Sequence, residues 1–146
     1  HQKTLATAEL GTGGLVAERL RDVPEAAEWF RGGYVAANVE MLRRMLPVDK
    51  ALAQDNSPDE ESPEARLVRA AALACRMEAG TDLSLVVGEL PKFDKTNPEA
   101  NRVWFAVATA EGVTARSAPT AGHPAILLAR TSKQALNMVR LMLLRS

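Results

Sequence analysis

Two short apolar runs constrain the fold of this chain more than any other feature. Residues 83–87 (LSLVV) and residues 103–110 (VWFAVATA) have the length of strands and show no regular alternation of apolar and polar side chains. Strands of this kind are buried on both faces of a sheet, because a sheet with one solvated face alternates. The sequence therefore predicts a sheet that is covered by helices on both sides.

Strand and helix patterns alternate along the rest of the chain. Residues 4–8 and 34–37 predict two more strands, and residues 113–117 predict the second arm of a hairpin after the turn at Glu111-Gly112. The predicted order is strand, helix, helix, strand, helix, helix, strand, strand, strand, helix. It indicates an α/β fold of three-layer α/β/α type, with a mixed sheet and a C-terminal helix. The length of 146 residues fits a single domain, residues 1–146.

Caps and breakers predict the boundaries of these elements. Ser, Asn and Pro favour the first positions of helices, and Gly favours their ends. The expected boundaries are Pro24 at the start of a short helix, Asn38 and Ser62 as N-caps, Gly80 as a stop, a turn at residues 31–33 and a last helix from residues 123–124.

Charge and cysteine content argue against several classes of function. Lys+Arg and Asp+Glu both number 18, so the chain has no overall field to attract nucleic acid or a membrane surface. A single cysteine, Cys75, excludes an internal disulfide and a Cys-based zinc site, and His1 and His123 are too few for a His-rich metal centre. No apolar run has the length of a membrane span. We therefore expect a cytoplasmic protein without a metal, a cofactor, or a nucleic-acid or membrane partner.

The strongest local candidate for a ligand site is the turn Gly11-Thr12-Gly13-Gly14, between the first strand and the first helix. Glycines let the backbone approach a ligand, and amides at a helix N-terminus favour an anion. The turn is not a P-loop, because no Gly-Lys-Ser/Thr follows. The alternative is a structural turn in which Thr12 caps the first helix and Glu9 is a partner for a neighbouring backbone group or a cation.

The same segment resembles a known family. Residues 5–9 (LATAE) followed by Thr12-Gly13-Gly14 are similar to the "TAESCTGG" signature of the CinA C-terminal domain family. These are competence/damage-inducible proteins whose active members are nicotinamide mononucleotide amidohydrolases. The resemblance extends over nearly the whole chain, through residues 16–17, 20–24, 29–35, 38–40, 82–88 and 103–106. It implies the fold of that family for this chain.

The positions that carry the family's chemistry are different here. The serine nucleophile of the signature corresponds to Leu10, and the tyrosine and lysine of the family's "TYSNEAK" stretch correspond to Ala37 and Leu42. None of these side chains can attack a carbonyl or transfer a proton. The resemblance therefore implies that the catalytic residues are missing.

The family's second pocket segment has changed as well. Its "TGIAGPxGG" and "KPVGTV" stretches correspond to residues 87–94 and 99–103, which are bulky and charged. Its "GDR" stretch corresponds to Gly122-His123-Pro124, where His123 replaces the basic contact only when protonated and Pro124 has no amide donor.

These observations predict a non-catalytic small-ligand-binding or assembly module for a small nucleotide or an anion, and we expect a homo-oligomer. The alternative is an active amidohydrolase on a pyridine nucleotide or related amide that uses other residues. The ligand-binding candidates are Glu9, Gly11, Thr12, Gly13, Gly14, Asn38, Gly88 and His123. Cys75 lies among alanines in a predicted helix and is interpreted as a buried, unreactive thiol.

Opposite charges are concentrated in two separate segments. Residues 54–64 contain five acidic residues and no basic one, whereas no acidic residue follows Glu111. In the last helix, Arg130, Lys133, Asn137 and Arg140 recur at helical spacing and form one stripe, opposite an apolar face of Leu127, Leu128, Leu136, Val139 and Leu143. A solvated polar face is the simpler interpretation of the stripe. The alternative is an acidic partner surface, for which residues 54–64 of another copy are one candidate.

Overall fold

A computed structural model describes residues 3–55, 62–92, 94–97, 101–120 and 124–144. The strands are β1 (Leu5–Glu9), β2 (Phe30–Val35), β3 (Leu83–Val87), β4 (Arg102–Thr109) and β5 (Gly112–Pro119). The α-helices are α1 (Leu15–Arg21), α2 (Val39–Met45), α3 (Val48–Ala53), α4 (Pro63–Ala79) and α5 (Pro124–Leu144), and a single 3-10 turn spans Ala26–Glu28. None of the described helices is both long enough and apolar enough to cross a membrane.

The strands form one mixed sheet in the order β2-β1-β3-β4-β5. β1 pairs in parallel with both β2 and β3, whereas β3 with β4 and β4 with β5 are antiparallel. Every residue of β1 and β3 is buried, as the continuous apolar run of β3 predicted. The predicted mixed sheet is confirmed.

Hydrophobic core covers both faces of this sheet. On one face, Val16 of α1 and Val139 of α5 belong to a cluster with Leu85 of β3. On the other face, α2, α3 and α4 cover the small residues of β1, such as Ala8, and Leu42 of α2 is fully buried there. The three-layer α/β/α arrangement is therefore confirmed, and the small β1 side chains allow the helices to pack close to the sheet.

The turn predicted at residues 31–33 is wrong, because these residues lie inside β2. The pairing of β1 with β2 shifts by one residue between Leu5 and Ala6, so Arg31 is an extra residue in the strand. Gly32 adopts a φ of 131°, which other residues rarely reach. The paired glycines thus form an irregularity within a strand rather than a turn between elements.

Other boundaries were predicted more accurately. The Asn38 side chain accepts a hydrogen bond from the Met41 amide, and the Ser62 hydroxyl accepts one from the Ala65 amide, so both N-caps are confirmed. Gly80 ends α4 in the left-handed conformation, as expected. Pro24 does not begin the short helix, because that 3-10 turn starts two residues later behind Glu25, whose φ is 67°.

Helix α3 was missed by the sequence analysis. Pro47 follows Leu46, the C-cap of α2, and is itself the N-cap of α3. A proline fits both positions, because it cannot continue one helix and its fixed φ suits the start of the next.

Candidate functional site

The predicted site segments meet at the carboxyl ends of three neighbouring parallel strands. Because β1, β2 and β3 are parallel, their carboxyl ends coincide, and Glu9 is paired with Val35 on one side and with Val87 on the other. Residues 11–14, residues 36–38 and Gly88 follow these three strand ends. In parallel α/β sheets, ligands bind in the crevice outside these strand ends.

The Glu9 carboxylate is buried beneath the first turn of α1. It is inaccessible to solvent and accepts hydrogen bonds from the Thr12 hydroxyl at 2.5 Å, the Val16 amide at 2.8 Å and the Ala17 amide at 2.9 Å. The interpretation of Glu9 as a partner for neighbouring backbone groups is confirmed. A carboxylate at a helix N-terminus satisfies amides that have no partner within the helix.

Thr12 does not cap α1, which corrects the structural interpretation of the turn. The N-cap is Gly14, with a φ of 103°, which has no side chain of its own, and the Glu9 carboxylate accepts the first-turn amides instead. Thr12 instead donates its hydroxyl to Glu9 and is buried. The Val16 and Ala17 amides of the first turn are already bonded to Glu9, within the chain itself.

Gly11 is packed against the loop that follows β3. Its amide donates to the Gly88 carbonyl at 3.1 Å, so the expectation that Gly11 offers a free amide is wrong. A Cβ atom at this position would come within 2.7 Å of the backbone nitrogen and of the Cγ of Leu90. The two loops at these strand ends are therefore joined by direct contact.

The remaining candidates lie in different surroundings. Gly13 and Asn38 are exposed, and the Asn38 side chain is used as the cap of α2. Gly88 is buried and donates its amide to the Trp104 carbonyl at 2.8 Å. His123 lies outside the described residues. Hydrogen bonds thus join Thr12 to Glu9 and Gly11 to Gly88.

The family's catalytic positions are occupied by apolar side chains. Leu10 and Leu42 both belong to the buried hydrophobic cluster on the α4 side of the sheet, with exposures of 7% and 0%. Ala37, at the position of the family's tyrosine, is exposed. The space between Leu10 and Leu42 is thus part of the protein core.

A cleft of about 530 Å³ lies beside this core. It runs between the start of α4, the loop after β3 and the beginning of β4, and its lining residues are Ser62, Glu64, Leu67, Val68, Gly88, Glu89, Leu90, Pro91, Arg102 and Trp104. Val68 belongs both to the cleft wall and to the cluster that contains Leu10 and Leu42. The cleft therefore adjoins the core cluster to which Leu10 and Leu42 belong.

Arg102 and Trp104 were not recognised as site residues from the sequence, because β4 was interpreted as buried on both faces. Both are only partly buried. The Arg102 Nε donates to the Ser117 hydroxyl at 2.8 Å, which fixes the guanidinium at the cleft wall. The available signal was their place in the sequence: Arg102 lies within residues 99–103, which correspond to the "KPVGTV" stretch of the family's second pocket segment, and Trp104 directly follows them.

The single cysteine of the chain belongs to the same core cluster as Leu10 and Leu42. Cys75 is buried in α4, as expected, and burial raises the pKa of its thiol to about 12. Within the described ranges, no three His, Cys, Asp or Glu side chains are grouped to hold a metal ion.

Comparison with known proteins identifies the family. The model of the CinA C-terminal domain matches residues 1–143. The chain belongs to the CinA C-terminal domain family. The fold agrees: this chain superposes on a CinA superfamily protein from Escherichia coli with a TM-score of 0.77 at 22% identity, covering 94% of this chain and 79% of that one. A competence damage-inducible protein A from Klebsiella pneumoniae gives a TM-score of 0.76 at 25% identity, with 94% and 84% covered.

Curated relatives of this CinA-family chain carry two kinds of name. It is 33% identical over 97% of its length to a CinA-like protein from Geobacter sulfurreducens, but spans only 34% of that protein. It is 30% identical over 77% of its length to the nicotinamide-nucleotide amidohydrolase PncC from Escherichia coli, of which 68% is covered. The chain thus spans about a third of the longer CinA-like relatives it matches.

Proposed function

We propose that this CinA-family chain binds a small ligand without hydrolysing it. The observation that carries the proposal is the burial of Leu10 and Leu42 in one hydrophobic cluster. An amidohydrolase of this family needs a nucleophile and a base at these positions, and a base must lie within hydrogen-bond reach of the nucleophile. Two packed leucine side chains supply neither group and exclude water.

The cleft beside Gly88 is the proposed binding site. Its volume of about 530 Å³ is in the usual range for small-molecule sites. Trp104 offers a surface for a flat ring, and Arg102 offers donors for an anionic group. The name of the PncC relative supports a nicotinamide nucleotide or a similar nucleotide as the first ligand to test.

The alternative is an amidohydrolase that uses Thr12. Its hydroxyl lies 2.5 Å from the Glu9 carboxylate, and a hydroxyl beside a carboxylate is the arrangement of a nucleophile with a general base. Against this alternative, Thr12 is only 4% exposed and Glu9 is already bonded to two amides of α1. A nucleophile must reach its substrate, which the buried hydroxyl does not.

Two measurements on the same protein separate these proposals. The purified chain is incubated with nicotinamide mononucleotide, and ammonia and the acid product are measured, with the E. coli PncC relative as the positive control. Binding of the same nucleotide is measured separately by NMR titration, with Trp104→Ala as the cleft variant and Trp29→Ala, in an aromatic pair away from the cleft lining, as the control.

We expect no ammonia above a buffer blank, together with shifts of the Gly88 and Trp104 amides that Trp104→Ala abolishes and Trp29→Ala preserves. Turnover that disappears in Thr12→Val would establish the alternative. Absence of both turnover and shifts would overturn the proposal of nucleotide binding.

A further inference from the structure

The last helix presents a basic surface with no acidic residue near it in sequence. Arg130, Lys133, Asn137 and Arg140 of α5 are all exposed, as their helical spacing predicted. Among the residues that the structure describes, none of the three cations of this stripe takes part in an ion pair. We call these four residues the basic stripe.

An open groove lies next to the basic stripe. Helix α5 packs on α1, β3 and β4, which leaves β5 at the sheet edge largely uncovered on this face. The resulting groove has a volume of about 280 Å³. Its lining includes Phe105 of β4, Arg116 of β5, and Met138 and Leu141 of α5. Asn137 belongs both to the groove and to the basic stripe, so the two form one surface.

The chain itself contains a matching acidic segment. Residues 55–64 include Asp55, Asp59, Glu60, Glu61 and Glu64 without a basic residue, and residues 112–146 include five basic residues without an acidic one. The total charge is nevertheless zero, with 18 residues of each sign. Two copies of the chain therefore have no overall electrostatic repulsion, and these two segments attract each other when they face each other.

We propose that the surface formed by the groove and the basic stripe is a self-association site that receives residues 55–64 of a second copy. Exposed ion pairs alone stabilise little, because water and salt screen them. The groove supplies the apolar contact that such pairs lack, and Leu141 is 41% exposed beside it. In the described sheet β5 is an edge strand, so its outer side has no partner strand.

The first test is the dependence of the oligomeric state on salt. Sedimentation of the wild-type chain is measured at about 50 mM and about 500 mM NaCl, where screening lengths differ severalfold. We expect a dimer at low salt and a dissociation constant at least about tenfold weaker at high salt. Leu141→Gln weakens the dimer at both salt concentrations, because it changes the apolar part of the surface.

The second test exchanges the charges. One variant carries Arg130→Glu, Lys133→Glu and Arg140→Glu, and the other carries Asp59→Lys, Glu60→Lys and Glu61→Lys. Each variant alone places like charges against each other and is expected to be monomeric. An equimolar mixture restores the dimer. The stripe of the first variant, now acidic, faces the segment of the second variant, now basic, while the unchanged acidic segment of the first faces the unchanged basic stripe of the second. Circular dichroism of both variants verifies that each is folded.

Several outcomes overturn the proposal. They are a wild-type chain that stays monomeric at low salt, a dimer that survives either set of reversals, and a mixture that remains monomeric although both variants are folded. Wild-type protein that is monomeric but binds a short DNA duplex in a salt-dependent manner would assign the basic stripe to nucleic acid instead.

Discussion

The side chain of Leu90 occupies the space that a Cβ atom on Gly11 would need. An ideal Cβ on Gly11 would lie 2.7 Å from the Leu90 Cγ and 2.9 Å from the Gly88 carbonyl oxygen. The signature that residues 5–14 resemble has a cysteine at the position of Gly11. The missing side chain at Gly11 is thus matched by the large side chain of Leu90 in the other loop.

This relationship predicts compensation between the two positions. Gly11→Cys alone overpacks the contact and is expected to destabilise the protein by about 1–3 kcal/mol. Leu90→Ala alone leaves a cavity and costs about 1–2 kcal/mol, since Leu90 is only partly buried. The double variant removes the clash with the Leu90 side chain, although the Leu90 backbone nitrogen and the Gly88 carbonyl oxygen stay close to the new Cβ. It is therefore expected to be more stable than the sum of the single effects by about 1 kcal/mol. Urea unfolding of all four proteins measures this coupling.

The control for this cycle combines Gly11→Cys with Leu73→Ala. Leu73 is a partly buried residue of α4, next to Ala72, whose carbonyl accepts from Ser84 at the opposite end of β3. The two effects should add within about 0.5 kcal/mol. Equal coupling in both cycles, or additive effects at Gly11 and Leu90, would contradict a specific fit between the loops.

Glu9 is expected to be essential for stability. In Glu9→Gln, the amide nitrogen faces a donor of α1 or of Thr12, so at least one of three hydrogen bonds is lost in a fully buried site. An unsatisfied buried donor of this kind costs about 2–3 kcal/mol. The control is Glu18→Gln in α1, the helix whose amides Glu9 accepts. Glu18 is exposed, so this substitution should change the free energy of unfolding by less than about 0.5 kcal/mol. An equal effect of both substitutions in urea unfolding would show that Glu9 has no special role.

The fold was predictable because its determinants are local. The apolar run of β3, the Asn38 and Ser62 caps and the Gly80 stop each act within a few residues. The glycines at residues 31–33 misled the prediction because their role depends on β1: a Cβ on Gly33 would collide with the Thr7 hydroxyl of the neighbouring strand. No pattern within β2 itself reveals that contact.

The candidate site was predictable only in part, for the same reason. The segments that meet at the carboxyl ends of the parallel strands were found from the glycine turn and the family resemblance. The bond from the Gly11 amide to the Gly88 carbonyl joins residues far apart in sequence, and the exposure of Trp104 depends on how α4 covers β4. Such relationships follow from tertiary packing, which periodicity and spacing do not specify.

Stability is expected to fall in acid through Asp82. Hydrogen bonds from the Thr4 backbone amide and then the Thr4 hydroxyl hold the pKa of Asp82 below its usual value of 3.8. Because the pKa of Asp82 is lower in the folded state than in the unfolded chain, the ionised carboxylate stabilises the fold at pH values above the unfolded-state pKa. This stabilisation is lost as the pH falls through the folded-state pKa. The melting temperature of Asp82→Asn should therefore lie below that of the wild type at neutral pH.

The difference between the two proteins should shrink as the pH is lowered below about 4. Thr4→Val, which keeps the amide donor but removes the hydroxyl, is expected to be intermediate. A difference that stays constant down to the lowest pH would mean that the Asp82 charge does not contribute.

Cys75 is expected to resist modification in the folded protein. Its thiol is inaccessible and burial raises its pKa to about 12, so very little thiolate exists at neutral pH. A disulfide reagent such as DTNB should release no thionitrobenzoate from the native chain at pH 8 and one equivalent per chain, for the single cysteine, after unfolding in guanidinium. Cys75→Ala provides the blank. Rapid stoichiometric labelling of native protein would mean that α4 opens readily.

Restoring the family's catalytic side chains is expected to fail. The variant Leu10→Ser, Ala37→Tyr and Leu42→Lys carries all three groups, yet Leu42 is fully buried in the core, where a lysine has no partner among the surrounding apolar residues. Leu42→Lys alone should cost about 3–5 kcal/mol of unfolding free energy, whereas Met41→Lys, 41% exposed in the same helix, should change it by less than about 0.5 kcal/mol. The loop after β3 would still hold Leu90 against Gly11 and leave the family's pocket unformed. Hydrolysis of nicotinamide mononucleotide by the folded triple variant, well above the wild-type background, would show instead that the pocket had been preserved and only the reacting groups exchanged.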